Sequence, residues 1–371
     1  MSRRIFVSAG EPSGDAHAAA LVRALRASDP SLIVEGVGGP ELAAAGAELV
    51  ARIEDLTVIG FVEVLKKVPA HWRLLHTIRR RLASGEIALI ILVDYPGFHL
   101  RVASAARALG VPVLYYIAPQ LWAWHESRVK RLARDVARLA VILPFEERFF
   151  RDRGVNATFV GHPLLDRAPV PGGPEERKAA LGLDPRRPVL GLFPGSRAQE
   201  TARLWPVFRD AAVRVSTQRP EVQCLVAASA AGRYPDPGPV RVIEGRPADC
   251  FAAADAALSK SGTTTLEAAI ADTPQVIAYR MNALSYHLAR RLVRVPWIGL
   301  VNLVADRQVA PELVQAAVTP AALATAVLPL LDPDSPERRA QLEGCVEVRA
   351  RLGGHGAAER AAAIARDLLA A

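Results

Sequence analysis

The sequence predicts an α/β protein made of two doubly wound parallel-sheet halves. Three observations lead there. The chain has 371 residues, more than one ordinary domain holds. Short apolar runs alternate with helical segments twice over, from Ile5-Phe6-Val7 to Ala157–Val160 and again from Val189–Phe193 to Gln275–Tyr279. Between the two series lies Ala168–Pro174, APVPGGP, which has the composition of a linker. The expected divisions are residues 1–168, residues 175–335 and a set of C-terminal helices over 336–371.

Composition narrows the function classes. Hydrophobic residues make up 51% and charged residues 23%, as in a globular protein. A net charge of +8 points to an anionic partner: phosphate, nucleotide, nucleic acid or an acidic membrane. Cys224, Cys250 and Cys345 are an odd, widely spaced set, which argues against a disulfide framework and fits a reducing cytoplasm. Met1-Ser2-Arg3-Arg4 leads straight into a strand, without the apolar core of a signal peptide. No apolar run approaches the roughly 20 residues of a spanning helix, so any membrane contact is expected to be peripheral.

In the first half, Ile5-Phe6-Val7 is followed by the glycine-bearing loop Ser8–Asp15 and a helix over 16–27. The loop lacks both the G-x-G-x-x-G and the P-loop patterns. It places Glu11 and Asp15 where open α/β sheets bind ligands, with Asp15 better explained as the N-cap of its own helix. Leu32–Val37 is the second strand, 41–46 a helix and 47–50 extended. Val58–Leu82 interleaves apolar residues with Lys66, Lys67, Arg73 and Arg79–Arg81. That pattern suits an anionic bilayer or an ordinary amphipathic surface helix, with Pro69 interrupting or restarting it. Ile87–Val93, IALIILV, reads as a strand buried on both faces, with Asp94 at its carboxyl end. Asp94 is either a base or a cap for the helix over 101–109. Val111–Ile117 is a strand, Ala118–His125 an aromatic loop and 128–138 a helix. Ala140–Leu143, a helix over 146–153 and Ala157–Val160 complete the half.

The second half begins with Val189–Phe193, then Pro194-Gly195-Ser196-Arg197 and a helix over 204–218. Strands follow at Gln223–Ala227, Val240–Ile243 and Ala252–Leu258, with a short helix over 248–254. Ser259-Lys260-Ser261-Gly262 breaks the run, and Thr263-Thr264-Thr265 caps the next helix. Glycine permits the turn, and free N–H groups with the helix dipole make an anion site. Glu267 lies about one turn further on, within reach of a ribose diol. Gln275–Tyr279 is a strand, 282–293 a helix, 300–303 extended, and 311–317, 320–331 and 336–352 helical, with a last helix from 356.

A phosphate at the Ser261-Gly262-Thr263 turn, a sugar at Glu267 and a diphosphate paired with Arg197 describe a nucleotide-sugar pocket. Asn302 and Arg307, from a later loop, reach the same phosphates in this reading. The bland alternatives are a capped helix packed on its sheet and a solvated arginine. No H-E-x-x-H and no cysteine–histidine set occurs, so neither a protein-bound metal nor a cofactor is expected. No G-x-S-x-G elbow supports serine hydrolysis. Two α/β halves with such a pocket in the second suggest a cleft glycosyltransferase, its acceptor on the first half. Asp94, Glu11 and His17 are the available bases.

These blocks resemble the lipid-A-disaccharide synthase family. They are SAGEPSGD at Ser8–Asp15, VDYPGF at Val93–Phe98, APQLWAW at Ala118–Trp124, LPFE at Leu143–Glu146 and VGHPLLD at Val160–Asp166. They continue with FPGSR at Phe193–Arg197, SGTTTLE at Ser261–Glu267 and YRM at Tyr279–Met281. The resemblance implies a GT-B fold: two facing Rossmann-like doubly wound domains, with C-terminal helices crossing back to the first. It implies transfer of 2,3-diacylglucosamine from its UDP donor to 2,3-diacylglucosamine 1-phosphate, giving the β-1,6-linked disaccharide 1-phosphate and UDP. It places the work at the cytoplasmic face of the inner membrane, on an anionic surface, and allows a homodimer that exchanges C-terminal parts. By matching position it makes Asp94 the candidate base and Glu11 its acidic neighbour, and puts Arg197, Gly262, Thr263, Glu267 and Asn302 in UDP-binding blocks. His99 stands where asparagine is common in the family, and Val301, Asp306 and Gln308 differ from its usual loop. Competing readings are another UDP-sugar transferase of this fold, a nucleotide-sugar epimerase, or a catalytically silent membrane-binding protein. No recognition helix, zinc module or aromatic RNA motif supports nucleic acid.

Overall fold

The computed structural model describes residues 3–53, 61–124, 126–282, 286 and 295–371; for 61–68 and 124 the backbone alone is described. The chain divides into two compact units, residues 1–166 with 353–371, and residues 167–352.

The first unit holds a seven-stranded parallel sheet in the order β3-β2-β1-β4-β5-β6-β7. Its strands are β1 (Arg4–Ala9), β2 (Ile33–Gly38), β3 (Glu48–Arg52), β4 (Ile87–Val93), β5 (Val113–Tyr116), β6 (Arg138–Val141) and β7 (Ala157–Phe159). The apolar run at β4 is central: Ile90, Ile91, Leu92 and Val93 have no exposed surface. Each such side chain contributes about 1.5–3 kcal/mol of burial, which pins this strand between two helical layers. One layer includes Leu74, Leu75, Ile78 and Leu82 of the helix Phe61–Leu82. That helix runs through Pro69, which was expected to interrupt it; a proline forfeits one intrahelical bond, and the turns on either side carry on. Residues 58–60 of the expected basic segment lie outside the described residues.

Asp15 caps a helix other than its own. Its buried carboxylate accepts the N–H groups of Gly39 at 2.6 Å, Glu41 at 3.0 Å and Leu42 at 3.3 Å, at the start of the helix Pro40–Ala44. The helix Pro12–Ser28 therefore locks the loop after β2.

The second unit holds a six-stranded parallel sheet in the order β10-β9-β8-β11-β12-β13. Its strands are β8 (Val189–Phe193), β9 (Gln223–Ala228), β10 (Val240–Glu244), β11 (Ala256–Lys260), β12 (Gln275–Tyr279) and β13 (Glu312–Val314). Two assignments near its end are reversed: Leu300–Ala305 is a helix, and Glu312–Val314 is the edge strand. A four-residue segment carries no period that separates helix from strand, and pairing of Ala278 with Leu313 decided the second case. The expected helix over 282–293 lies almost wholly outside the described residues.

The C-terminal segment is shared between the units. The helix Pro336–Arg351 belongs to the second, and Ala357–Ala370 to the first. Ala361, Ala362, Ile364 and Ala365 of this last helix pack in the core that also holds Leu21, Val22 and Leu25. Asp166, the end of the VGHPLLD block, holds its first turn: the carboxylate accepts Gly356 N at 2.6 Å and Ala357 N at 3.0 Å. Arg360 donates to the Val160 carbonyl at 2.8 Å. Asp166→Ala should weaken this attachment by about 1 kcal/mol, the usual cost of a lost cap. Amide hydrogen exchange would then speed up in Ala357–Ala370 and stay unchanged in Pro336–Arg351.

Candidate active site

Open parallel sheets bind ligands at the carboxyl edge where the strand order reverses. In the first unit that point lies between β1 and β4, with Ala9 paired beside Val93. The two loops leaving it are Gly10-Glu11 and Asp94-Tyr95, so the topology brings together both residues proposed for chemistry. Asp94 and Glu11 are each half-buried. Glu11 precedes the helix Pro12–Ser28, and its carboxylate with burial raises the phenol pKa of Tyr95, burial being the larger cause. The Tyr95 ring covers Gly10: a β-carbon there would lie 2.3 Å from the ring, so only glycine fits. The Tyr95 hydroxyl is 2.8 Å from His71 Nε2, on the helix Phe61–Leu82.

Asp94 and Tyr95 both take left-handed backbone conformations, with φ of 50° and 53°. The Asp94 carbonyl accepts two short bonds, from the Tyr115 hydroxyl and from His99 Nδ1, each 2.6 Å. His99 Nε2 lies 2.9 Å from Ser8 Oγ. A carbonyl cannot donate, so Nδ1 carries the proton and Nε2 accepts from Ser8. His99 is fully buried, which pushes its pKa down to about 4 against the opposing Asp94 hydrogen bond. It is neutral at physiological pH. The helix Pro96–Ala108 starts at Tyr95, so Asp94 does not cap it.

Next to this corner the APQLWAW and LPFE blocks meet. Trp122 Nε1 donates to Glu146 at 2.9 Å, and Leu143 N donates to the same carboxylate at 3.0 Å. Burial pushes Glu146 up to about 7, while these donors pull it the other way. Both residues act as scaffold for the aromatic loop.

In the second unit the strand order reverses between β8 and β11, where Phe193 pairs beside Ser259. The loops here are Pro194–Arg197 and Ser261–Thr263. Gly262 has φ of 133°, a conformation closed to other residues. Arg197 precedes the helix Ala198–Gln218, and its side chain is 73% exposed, with Glu200 4.0 Å away. Lys260 pairs with Glu200 at 2.9 Å and lies beside Gly262. Thr263 is exposed at the head of the helix Thr264–Ile270. Glu267 pairs with Arg167 at 2.8 Å.

Three residues expected to bind ligand have partners within the fold. Asn302 is fully buried; its Oδ1 accepts from Val309 N at 2.8 Å and Ala310 N at 2.9 Å, and its Nδ2 donates to the Ala310 carbonyl and to Glu312. Its amide shapes the loop before β13. Ser261 Oγ donates to the Ile298 carbonyl at 2.6 Å, so its hydroxyl anchors the turn from behind. Arg307 forms two bonds to Glu347, at 3.0 and 2.7 Å, on the helix Pro336–Arg351. Sequence reasoning missed Tyr115, Lys260, Glu200 and Arg167, whose partners lie far along the chain; a lysine just before the Ser-Gly turn was the one visible signal.

Comparison with known proteins gives the family. The family model described as lipid-A-disaccharide synthetase matches residues 5–365. A lipid-A-disaccharide synthase of Myxococcus xanthus is 41% identical over 99% of this chain and 97% of its own length. One from Anaeromyxobacter dehalogenans strain 2CP-C is 42% identical over 98% and 96%. Among solved structures, the glycotransferase of kitacinnamycin superposes with a TM-score of 0.66 at 19% identity, covering 99% of each chain, which shows the shared GT-B fold. A chain with these two sheets and this match from its first strand to its last helix belongs to the lipid-A-disaccharide synthase family.

Proposed function

We propose that this protein transfers 2,3-diacylglucosamine from its UDP donor to 2,3-diacylglucosamine 1-phosphate. The observation that carries the reading is the family membership across residues 5–365. The acceptor hydroxyl oxygen attacks C1 of the donor sugar, the bond from C1 to the diphosphate breaks, and UDP leaves. Asp94 takes the hydroxyl proton, with Glu11 as its acidic neighbour. Arg197, Lys260 and the N–H groups around Gly262 and Thr263 meet the charge that develops on the diphosphate. Glu267 serves the ribose, with Arg167 holding it in place.

Both substrates carry acyl chains, and the same reading puts the protein on the cytoplasmic face of the inner membrane. Among the described residues no helix is long and apolar enough to cross a membrane. The helix Phe61–Leu82 exposes Trp72, 62% accessible, beside exposed Arg73, Arg79 and Arg80. An aromatic residue beside cations suits an anionic lipid surface. Trp72→Ser should weaken co-sedimentation with phosphatidylglycerol vesicles about threefold or more, with the slope against salt unchanged. A homodimer formed by exchange of C-terminal parts belongs to the same proposal, and sedimentation velocity across micromolar concentrations tests it.

The deciding assay mixes UDP-2,3-diacylglucosamine and 2,3-diacylglucosamine 1-phosphate in detergent micelles and follows disaccharide and UDP by mass spectrometry. Formation of both in equal amounts is expected. Folded protein that binds UDP yet yields neither would assign it a different donor or acceptor. Isomerised sugar nucleotide with no UDP released would make it an epimerase.

A further inference from the structure

We propose that Tyr115 and His99, with Ser8 behind them, are positioning residues of the transfer reaction, holding the Asp94–Tyr95 corner so that the Asp94 carboxylate is aimed at its proton donor. The inference rests on the reading of Asp94 as the base.

The corner does not hold itself. Two consecutive non-glycine residues have φ near +50°, at 50° and 53°. Aspartate tolerates that region, but a bulky tyrosine adopts it at a cost of about 1 kcal/mol or more. Left alone, the pair would relax toward extended backbone and turn the Asp94 side chain with it. The sheet supplies one restraint, Asp94 N to the Tyr116 carbonyl at 3.0 Å. The carbonyl on the other side of Asp94 lies beyond the last strand pair and is held by two side chains. Tyr115 comes from β5 and His99 from the helix Pro96–Ala108, so the carbonyl is gripped from the sheet and from the helix. Ser8, on β1, fixes the far nitrogen of the imidazole and brings in a third element.

The clamp works through geometry. Tyr115 is fully buried and its phenol is pushed well above its ordinary value, so it stays a neutral donor. His99 is neutral for the same reason. Neither puts a charge beside the Asp94 carboxylate. Both donors end on the main-chain carbonyl of Asp94. A hydrogen bond to a buried carbonyl is costly to remove without replacement, so either donor lost frees the corner to move.

The test compares Tyr115→Phe, His99→Leu and His99→Asn with Asp94→Asn, measuring kcat, both KM values and UDP binding by calorimetry. Tyr115→Phe and His99→Leu should lower kcat about ten- to a hundredfold while KM values and UDP affinity stay within about twofold, because misplacement of a base acts on the chemical step. His99→Asn keeps an N–H donor and should recover most of the loss seen in His99→Leu. Should His99→Leu fail to bind UDP, Tyr115→Phe decides, since it removes a single oxygen. Near-normal kcat in Tyr115→Phe and His99→Leu, with Asp94→Asn inactive, would overturn the clamp and leave Asp94 as base. An active Asp94→Asn would overturn the base itself and the clamp with it.

Discussion

Asp94→Asn is expected to lower turnover by orders of magnitude while UDP still binds. The substitution keeps the size of the side chain and, above all, the carbonyl that Tyr115 and His99 grip, so the corner after β4 stays in place. What it removes is the ability to accept a proton. A positioned general base contributes about 10²–10⁴-fold, so kcat should fall by that factor with both KM values little changed. Glu11 lies close enough to act on Tyr95, yet it sits on the other side of the sheet's reversal point, at the end of β1. Glu11→Gln should accordingly cost less than Asp94→Asn. Calorimetric titration with UDP and stopped assays of disaccharide formation give both numbers. Turnover within about twofold of the parent protein would take Asp94 out of the mechanism.

Arg197→Ala carries the second large effect, confined to the donor. The guanidinium follows β8, 73% exposed, with Glu200 at 4.0 Å. It has little packing to lose, so thermal stability should hold. Its main-chain N–H also stays with Glu200. A charge-assisted bond to a diphosphate is worth roughly ten- to a hundredfold in binding, and kcat/KM for the UDP donor should drop by that much while the acceptor KM is unaffected. Arg197→Lys should recover only part, since an ammonium cannot make the two parallel bonds of a guanidinium. Unchanged donor kinetics in Arg197→Ala would leave Lys260 and the Gly262 turn as the phosphate site.

Much of this was legible in the sequence because the sheets are buried on both faces. Ile87–Val93 and Val189–Phe193 read as strands of that kind, and glycine-bearing loops directly after such strands mark the reversal points. The family blocks did the rest. What could not be read was which polar groups the fold consumes. Asn302 looked available beside a phosphate loop, but a buried amide satisfies the nearest free backbone, here Val309 and Ala310. Asp15 read as the N-cap of its own helix and caps Pro40–Ala44 instead, and Asp166, visible only as the end of a family block, caps the last helix. His99 was visible only as a departure from the family pattern; its place between Ser8 and the Asp94 carbonyl depends on β1 and β4 being neighbours.

The first unit is closed by its last helix, and this sets an order of events during synthesis. Asp166 leaves the ribosome 190 residues before Gly356, the residue whose N–H it will cap. At elongation rates of roughly 5–20 residues per second that is a delay of roughly 10–40 s. Throughout it, the face of Pro12–Ser28 that receives Ala361 and Ala365 is uncovered, and the second unit emerges in full before the first can finish. The half of the chain made first is therefore the half that matures last, and a released chain ending at residue 352 would hold a complete second unit and a first one still lacking its lid of alanines.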